Sequence, residues 1–198
     1  MANCALLAML SVTPGLKPMI NGAMVRLREK RLADALDDYN WQTDPELAEL
    51  DALPVLTMSF RQYMSDHTAE LLYASVTRQQ FAIETLNGKH IGNCAYYGID
   101  EIQGEAELGI MIGNRDYWDK GYGTDAVNLL VNHIFTQTNL NRIHLKTLVW
   151  NMRARKCFQK CGFTPCGKSV RDGHKFTLME LRRSQWEKEQ RQQLRNEG

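Results

Sequence analysis

The middle of the chain alternates between apolar and polar residues with the two-residue period that is typical of β-strands. One such run, at 80–86, ends in Asn87-Gly88, a pair that strongly favours a tight hairpin turn, and 91–97 is predicted as the returning strand. Another alternating run covers 105–112. We therefore predict a β-hairpin that is followed by a third strand.

The third predicted strand has two faces of different character, because successive side chains of a strand point to opposite sides. One face consists of Ala106, Leu108, Ile110 and Ile112, and the other of Glu105, Glu107, Gly109 and Met111. The first face is suited to a hydrophobic core. The second face carries two carboxylates, and we expect any chemistry of this strand to occur there.

Helical spacing of apolar residues occurs before, between and after the strands. It covers 32–41 and returns after Gly121, where an apolar stripe continues to about Asn139. Further helices are predicted at 59–67 and 154–160, and further strands near Val25 and at 143–150 and 175–181. This order of elements predicts an α+β fold with a mixed sheet flanked by helices.

The length of 198 residues suits one domain. We expect this domain at 24–182, after an N-terminal arm at 1–23 and before a charged tail at 183–198. The arm contains an apolar stretch at 5–12 that is too short to span a membrane and lacks the positive region of a signal peptide. We therefore expect a peripheral arm, and a solvated helix in the tail.

The charges of the chain nearly cancel, since 24 Lys and Arg face 23 Asp and Glu and leave a net charge of +1. No strong field would attract nucleic acid or an anionic membrane, so the expected partner is a small molecule or another protein. The five cysteines lack the regular spacing of a secreted disulfide framework, which favours the cytoplasm. Cys157, Cys161 and Cys166 contain no Cys-x-x-Cys pair, so we expect core packing and no metal.

A glycine pair lies between the third strand and the long predicted helix. Gly121 and Gly123 allow a ligand to approach the backbone, and the start of the helix offers free N–H groups to an anion. The segment lacks the Gly-Lys-Ser or Gly-Lys-Thr of a Walker loop and the third glycine of a dinucleotide-binding loop. It therefore predicts a diphosphate site of another kind, with a simple tight turn into a helix as the alternative.

Three segments, in this order along the chain, together resemble the GNAT acetyltransferases, and within them the ribosomal-protein-alanine acetyltransferase-like (RimJ/RimL-like) branch. The segment 105–112 is similar to the splayed central strand of that family, 117–126 to its pyrophosphate loop, and 151–163 to its second signature. Trp118 stands where the wider superfamily has Gln or Arg, as is familiar in this branch. The resemblance implies a single domain with a mixed, mostly antiparallel central sheet, and acetyl-CoA as co-substrate.

The resemblance also implies roles at the cofactor. The backbone of 110–112 would pair with the pantetheine arm, the amides of 120–124 would hold the pyrophosphate, and Asn151 would contact the arm. The residues expected at the cofactor are Ile110, Met111, Ile112, Trp118, Lys120, Gly121, Tyr122, Gly123, Thr124, Asn151, Arg153 and Phe158. Asp119 departs from the family, which commonly has Gly there, and its carboxylate would weaken diphosphate binding unless it points to water.

Acetyl transfer by direct attack of an amine on the thioester requires a base for the ammonium proton. Glu107 is the candidate base, acting directly or through a water, because it shares a strand face with Gly109. Glu105 lies on the same face and is the weaker alternative. A solvated strand face without a catalytic role would also explain both glutamates.

The leaving thiolate requires a proton as well, and the family commonly supplies it from a Tyr in the second signature. The matching residue here is Phe158, which has no proton to give. Three alternatives follow: protonation by water or another side chain, substitution by Cys157 or a tyrosine such as Tyr96 or Tyr97, or a site that binds the cofactor without efficient turnover.

Two classes of function are therefore compared. The first is an N-acetyltransferase that acts on a primary amine of a small molecule or of a protein N-terminus. The second is a non-catalytic acyl-CoA-binding sensor or assembly module, which Phe158 and Asp119 support, and a third interpretation treats 121–124 as a generic anion loop. The family builds its acceptor pocket in the region of Tyr39, Trp41, Phe60 and Tyr63, and a homodimer is common in this branch.

Overall fold

The computed structural model of the protein describes residues 19–73 and 75–196, so most of the expected N-terminal arm lies outside the described residues. The strands are β1 (Ile20–Asn21), β2 (Val25–Arg28), β3 (Arg78–Thr85), β4 (His90–Asp100), β5 (Glu105–Ile112), β6 (Arg142–Leu148), β7 (Thr164–Arg171) and β8 (His174–Arg182). The helices are α1 (Ala35–Gln42), α2 (Pro45–Leu50), α3 (Phe60–Leu72), α4 (Tyr122–Gln137), α5 (Met152–Lys160) and α6 (Arg183–Asn196). Short 3-10 turns at Leu32–Asp34 and Arg115–Tyr117 precede α1 and α4.

Within the described residues the strands form one 8-stranded sheet in the order β1-β2-β3-β4-β5-β6-β8-β7. Neighbouring strands are antiparallel except for β5 and β6, which are parallel. The predicted hairpin is formed by β3 and β4. The expected α+β fold with a mixed, mostly antiparallel sheet in a single domain is confirmed.

The parallel pair β5 and β6 is joined only at its beginning. Its paired residues are Glu105 with Arg142, Ala106 with Ile143 and Glu107 with His144. Beyond this point β5 continues along β4 as far as Ile112, and β6 continues along β8 as far as Leu148. The two strands therefore diverge, and the facing backbone edges beyond Glu107 and His144 have no strand partner. The sheet opens into a gap at its centre.

The long helix α4 covers one face of the sheet. Its buried side chains are Ala126, Val127, Leu130, Val131, Ile134 and Phe135, and they belong to the same core cluster as Ala106 and Leu108 of β5. The apolar face predicted for this strand is therefore the core face. The opposite face of β5, with Glu107 and Gly109, lines a cavity.

Both ends of α4 are attached to other parts of the chain. The carboxylate of Asp125, in its first turn, accepts hydrogen bonds from the amides of Met24 (2.7 Å) and Val25 (3.0 Å). At the other end, Arg183 of α6 donates to the carbonyl oxygens of Phe135 (2.6 Å), Thr138 (2.7 Å) and Leu140 (2.9 Å). A guanidinium in this position satisfies carbonyl groups that the end of a helix leaves free.

The charged tail forms a helix, and its first turn is packed against the domain. Besides Arg183, Trp186 donates from its indole N–H to Asn132 at 2.7 Å and lies 5.3 Å from the ring of Phe135. The sequence predicted a solvated helix here because the segment is rich in charge. The anchoring side chains, Arg183 and Trp186, contact residues about 50 positions earlier in the chain. Local periodicity does not reveal contacts between such distant residues.

The strand β7 was not predicted from the sequence. Nearly all of its side chains are exposed, so its residues show no apolar alternation. It forms because it pairs with β8 across a two-residue turn at Asp172-Gly173, where both residues have positive φ (49° and 79°). An Asp-Gly pair is a strong hairpin signal, and in this segment it is more informative than the hydrophobic pattern.

A buried ionic network fixes the start of α1 to the sheet. Arg28 donates to both carboxylate oxygens of Asp34 at 2.8 Å and to Glu84 at 2.5 Å, and the three side chains are 4–6% exposed. Burial raises the pKa of Asp34, but the hydrogen bonds from Arg28 and from the backbone amide of Arg31, together with nearby positive charge, outweigh this effect and lower the pKa to about 2. The network therefore depends on the charge of Arg28.

Replacing Arg28 with Met should destabilise the fold strongly, because it leaves the buried carboxylate of Asp34 without its arginine partner and removes one of the two cations that pair with Glu84. We expect a loss of about 3–5 kcal/mol in the free energy of unfolding, measured by urea denaturation. Arg26 is the matched control, since it also pairs with Glu84 but is 26% exposed. Its replacement with Met should cost about 1 kcal/mol or less. Equal losses for the two variants would contradict this account.

Candidate active site

The start of α4 presents unpaired backbone N–H groups. Gly121 precedes the helix with a φ of 91°, and no side chain caps the helix there. The first intrahelical hydrogen bond runs from the amide of Asp125 to the carbonyl of Gly121 at 3.0 Å, so the amides of Tyr122, Gly123 and Thr124 have no intrahelical partner. This is the geometry of an anion site at a helix start.

A cavity of about 260 Å³ lies between the start of α4, the end of β5 and α5. Most residues that the sequence places at the cofactor line it: Ile110, Met111, Ile112, Trp118, Gly121, Gly123, Thr124, Asn151, Arg153 and Phe158. The structure adds two cations, Lys156 and Lys160, that the sequence analysis did not identify. Free amides, an unpaired edge of β5 and cationic side chains thus surround one cavity, which fits a diphosphate carried on an extended arm.

Two residues expected at the cofactor do not line this cavity with their side chains. The ammonium of Lys120 donates to the carbonyl of Asp116 at 2.8 Å. The ring of Tyr122 packs edge-on against Tyr117, with 4.8 Å between ring centroids. Their expected role was assigned to the backbone amides of 120–124, and the amide of Tyr122 is one of the unpaired groups. The side chains themselves stabilise the loop.

Trp118 connects the loop to the end of the central strand. Its indole N–H donates to the carbonyl of Ile112 at 2.6 Å. The guanidinium of Arg153 lies 3.5 Å from the centroid of the same indole ring, which is the geometry of a cation–π contact. The indole therefore holds a positive charge over the cavity, where a polar Gln or Arg of the wider superfamily would stand.

Asn151 begins the helix α5. Its side-chain oxygen accepts a hydrogen bond from the amide of Ala154 at 3.1 Å, as is typical of an N-cap. Because the oxygen is used in the cap, the side-chain NH₂ group is the part of Asn151 that is available to a ligand in the cavity.

Asp119 lies in the same loop in a left-handed conformation, with a φ of 56°. Such a φ is unfavourable for most residues and normal for Gly, which explains why the family commonly has Gly at this place. The residue also lines the cavity beside the start of α4. A negative charge there opposes the binding of another anion.

Replacing Asp119 with Asn should tighten the binding of CoA, because it removes the charge while Asn tolerates the left-handed conformation. We expect the Kd from isothermal titration to fall by about two- to five-fold. Replacing Asp116 with Asn is the control, since that residue belongs to the preceding 3-10 turn and does not line the cavity. If only a change to Gly improved binding, backbone strain and not charge would be the cause.

The thiol of Cys157, on α5, also lines the cavity at the start of α4. Its sulfur lies 3.5 Å from the hydroxyl of Thr124, and the sulfur of Cys161 lies 3.6 Å from the carbonyl oxygen of Thr124. A hydrogen bond from Cys161 lowers the pKa of Cys157 to about 7, with a smaller contribution from Thr124, although burial acts in the opposite direction. Cys157 is therefore expected to be partly ionised at neutral pH.

Alkylation of Cys157 by iodoacetamide should reach half its maximal rate near pH 7, because the thiolate is the reactive form. Saturating acetyl-CoA should slow this reaction, since the thiol opens into the cavity. The exposed Cys166 lies on β7 and should show no protection, which makes it an internal control measured in the same peptide mass spectra. Equal labelling of Cys157 with and without acetyl-CoA would contradict this placement of the cofactor.

The two candidate bases lie in different surroundings. Glu107 accepts a hydrogen bond from the hydroxyl of Tyr97 at 3.0 Å, and Lys146 lies 2.9 Å from the same carboxylate oxygen. These three residues line a cavity of about 310 Å³ that also contains Asn151 and Phe158. The candidate base therefore faces the gap between β5 and β6.

Glu105 shares the strand face of Glu107 but does not line this cavity. Its carboxylate lies 2.6 Å from Arg142, which also pairs with Glu180 at 2.6 Å. The reason is its position at the closed end of the gap, where β5 and β6 are still paired. The structure thus directs only one of the two glutamates towards the gap.

Asp51 was not identified from the sequence. It follows α2 and lines three cavities: the one at the start of α4, the one at Glu107, and a third of about 550 Å³ beneath α1 and α3. Its side chain is open to these cavities, but the surrounding protein atoms displace water and raise the pKa of its carboxyl. No local pattern marks this residue, because it lies in a loop.

The aromatic residues before the hairpin contribute unequally to the third cavity. Tyr63 lines it, whereas Tyr39 packs against Tyr63, and Phe60 against Tyr39, without lining it. Trp41 lies against the backbone of Gly113, where any added Cβ would be 2.1 Å from the indole. Tyr39, Trp41 and Phe60 therefore pack locally outside the main core cluster, and Phe60 is 37% exposed.

Within residues 19–73 and 75–196 no group of three or more His, Cys, Asp and Glu side chains is arranged to hold a metal ion. No helix in the same ranges combines the length and the apolar character needed to cross a membrane.

Known proteins match both the sequence and the fold. The family model described as the acetyltransferase (GNAT) domain matches residues 25–164. An uncharacterized N-acetyltransferase, p20 of Bacillus licheniformis, is 30% identical over 138 residues, which are 69% of this chain and 77% of that protein. Aminoglycoside N(6')-acetyltransferase type 1 of Klebsiella pneumoniae is 28% identical over 153 residues, covering 67% of this chain and 73% of that one.

Among solved structures, spermidine N-acetyltransferase from Vibrio cholerae in complex with CoA and spermine has a similar fold. Its TM-score is 0.74 at 21% sequence identity, and the match covers 82% of this chain and 97% of that one. The family model spans most of the described domain and includes the glycine loop and the central strand. The chain therefore belongs to the GNAT family of acetyl-CoA-dependent N-acetyltransferases.

Proposed function

We propose that this acetyltransferase transfers the acetyl group of acetyl-CoA to a primary amine of a polycationic small molecule. The observation that carries this proposal is that the cavity of about 550 Å³ shares Asp51, Ile110 and Met111 with the cavity at the start of α4. An acceptor in this third cavity of about 550 Å³ and a thioester held along β5 would meet at these residues. Direct attack of the amine requires this proximity.

The residues of the chain are suited to hold acetyl-CoA, which supplies the activated acetyl group. The unpaired amides at the start of α4, together with Arg153, Lys156 and Lys160, would bind the phosphates. The free edge of β5 at 110–112 would pair with the amides of the pantetheine arm, as an added strand does. The gap between β5 and β6 would then place the thioester beside the third cavity.

The charges of the third cavity favour a cationic acceptor. The carboxylates of Asp51, Asp66 and Glu70 line it, and Arg78 is the cation among the lining residues without a close carboxylate partner. Asp38 and Lys30 also line the cavity, but they form an ion pair with each other and so add no net charge to it. A molecule with several ammonium groups would gain from this arrangement, because opposite charges attract strongly at the edge of a protein. The similarity to the spermine-bound and aminoglycoside-modifying enzymes supports the same class.

A protein N-terminus is the second candidate acceptor. The loop at the mouth of the third cavity exposes Leu53 (60%) and Met58 (36%), and both residues line the cavity. Exposed apolar residues beside an active site are suited to hold a peptide. The RimJ/RimL-like branch, to which Trp118 points, agrees with this candidate, and that assignment remains a prediction, as does the homodimer.

Glu107 is the proposed base for the amine. Its carboxylate faces the gap where the acceptor and the thioester would meet, and it is held in place by Tyr97 and Lys146. It would accept the proton of the ammonium directly or through one water. Glu105 is unsuited to this role because Arg142 occupies its carboxylate at the closed end of the gap.

The first test measures thiol release from acetyl-CoA with polyamines, aminoglycosides and short peptides as acceptors. We expect turnover with polyamines or aminoglycosides that exceeds turnover with peptides. Binding of acetyl-CoA in isothermal titration without release on any acceptor would instead support the non-catalytic binding module. Preference for peptides would support the second candidate acceptor.

Replacing Glu107 with Gln should then lower kcat by about 10²- to 10⁴-fold, because a positioned base is lost. The Kd of acetyl-CoA should not change, since Glu107 lies outside the cavity at the start of α4. The matched control is Glu105→Gln, which removes the same charge from the same strand face and should leave kcat close to that of the unmodified enzyme. Equal effects of the two substitutions on kcat would exclude a specific role for Glu107.

A further inference from the structure

We propose that Tyr97 is the proton donor for the leaving thiolate, the role that Phe158 cannot perform in this chain. This inference rests on the proposed function, and it names a residue outside the second signature, where the family commonly places its acid.

The hydroxyl of Tyr97 is brought to the gap in the sheet by a glycine. Tyr97 lies on β4, but its phenol ring crosses over Gly109 of β5: a Cβ at Gly109 would lie 3.3 Å from the ring carbon Cε1 and 3.6 Å from the hydroxyl oxygen. Gly109 is two residues beyond Glu107, the last residue of β5 that pairs with β6. The absence of a side chain at Gly109 therefore allows the phenol to reach the point where the strands separate.

Tyr97 and Phe158 line the same cavity of about 310 Å³. Phe158 is 6% exposed and packs edge-on against Phe163, with 5.9 Å between ring centroids. A tyrosine at that position would present its hydroxyl to this part of the site from α5. Tyr97 presents a hydroxyl to the same cavity from the sheet. The proposed proton donor therefore lies on a different element from the family's tyrosine but faces the same cavity.

The two other substitutes for the missing acid that the sequence suggested, Tyr96 and Cys157, lie elsewhere. Tyr96 is 5% exposed and belongs to the hydrophobic core, on the opposite face of β4. Cys157 contacts Thr124 at the start of α4, where the phosphates are expected, and does not line the cavity of about 310 Å³ that Tyr97 and Glu107 share. Among the protein groups considered from the sequence, Tyr97 is the one that faces the gap.

The hydrogen bond between Tyr97 and Glu107 provides a route by which Tyr97 regains its proton after the reaction. The amine nitrogen forms a bond to the acetyl carbon, the carbon–sulfur bond breaks, and its electron pair remains on sulfur. Glu107 takes one proton from the nitrogen, Tyr97 gives its hydroxyl proton to sulfur, and Glu107 returns a proton to the Tyr97 oxygen across 3.0 Å. The second proton of the ammonium passes to solvent, so atoms and charges balance and both residues are restored.

The charge of Glu107 changes the pKa of Tyr97 in the course of the reaction. Burial raises the pKa of Tyr97 above its ordinary value, and the neighbouring carboxylate of Glu107 raises it further. Tyr97 therefore keeps its proton until it is needed. When Glu107 accepts a proton from the amine, its negative charge disappears, and Tyr97 becomes a stronger acid at the moment when the thiolate forms.

The experiment compares kcat, KM and pH profiles of four enzymes on the best acceptor found in the amine panel: the unmodified enzyme, Tyr97→Phe, Phe158→Tyr and the double variant. Tyr97→Phe should lower kcat by about 10²-fold or more while the Kd of acetyl-CoA is unchanged. Phe158→Tyr alone is the reference with which the double variant is compared. The kcat of the double variant should be at least about tenfold higher than that of Tyr97→Phe, because a hydroxyl is restored to the same cavity from α5.

Tyr96→Phe is the matched control, since it removes the neighbouring hydroxyl from the core face of the same strand, and thermal unfolding checks that each variant is folded. Unchanged kcat in Tyr97→Phe would overturn the proposal. A loss that Phe158→Tyr does not recover, with KM for the acceptor raised in proportion, would also overturn it and assign Tyr97 to acceptor positioning. Because the unmodified enzyme is measured first, absence of its turnover would identify a failure of the proposed function itself.

Discussion

The short parallel pairing of β5 and β6 is the constraint on which the rest of the site depends. The two strands share three residue pairs and then follow different neighbours, β4 on one side and β8 on the other. Each strand therefore keeps one backbone edge free beyond Glu107 and His144. A continuous sheet would satisfy these edges with each other and leave no place for an extended arm, whereas the divergent pair leaves them available to a ligand.

The polar groups of the site are arranged along this gap in an order that matches a reaction. Free helix amides and cations lie at the open end near α4, and the Tyr97–Glu107–Lys146 group lies where the strands part. Asp51 faces both regions and the third cavity. The proposed sites for phosphate binding, proton transfer and recognition of a cationic acceptor are thus adjacent to one another, and each is formed by residues from several elements of the fold.

The parts of this fold that could be predicted from the sequence are those with a local signal. The β3–β4 hairpin, the two faces of β5, and the glycine loop before α4 all follow from periodicity and turn chemistry. The sequence ranked Glu107 above Glu105 as the base, but the different surroundings of the two carboxylates could not be predicted, because their partners Arg142 and Lys146 lie on β6, about 40 residues later. Asp51 and Tyr97 share this limitation, since only the assembled fold shows which cavity a side chain faces.

The contacts of Arg183 and Asp125 at the two ends of α4 have a consequence for how the domain can be divided. The helix whose first turn forms the anion site is fastened at one end to the segment before β2 and at the other to the beginning of α6. A chain cut after Arg182 would keep every strand and every residue of the site, yet it would leave three carbonyl oxygens at the far end of that helix without their donor. The smallest unit that preserves the site therefore extends into the charged tail.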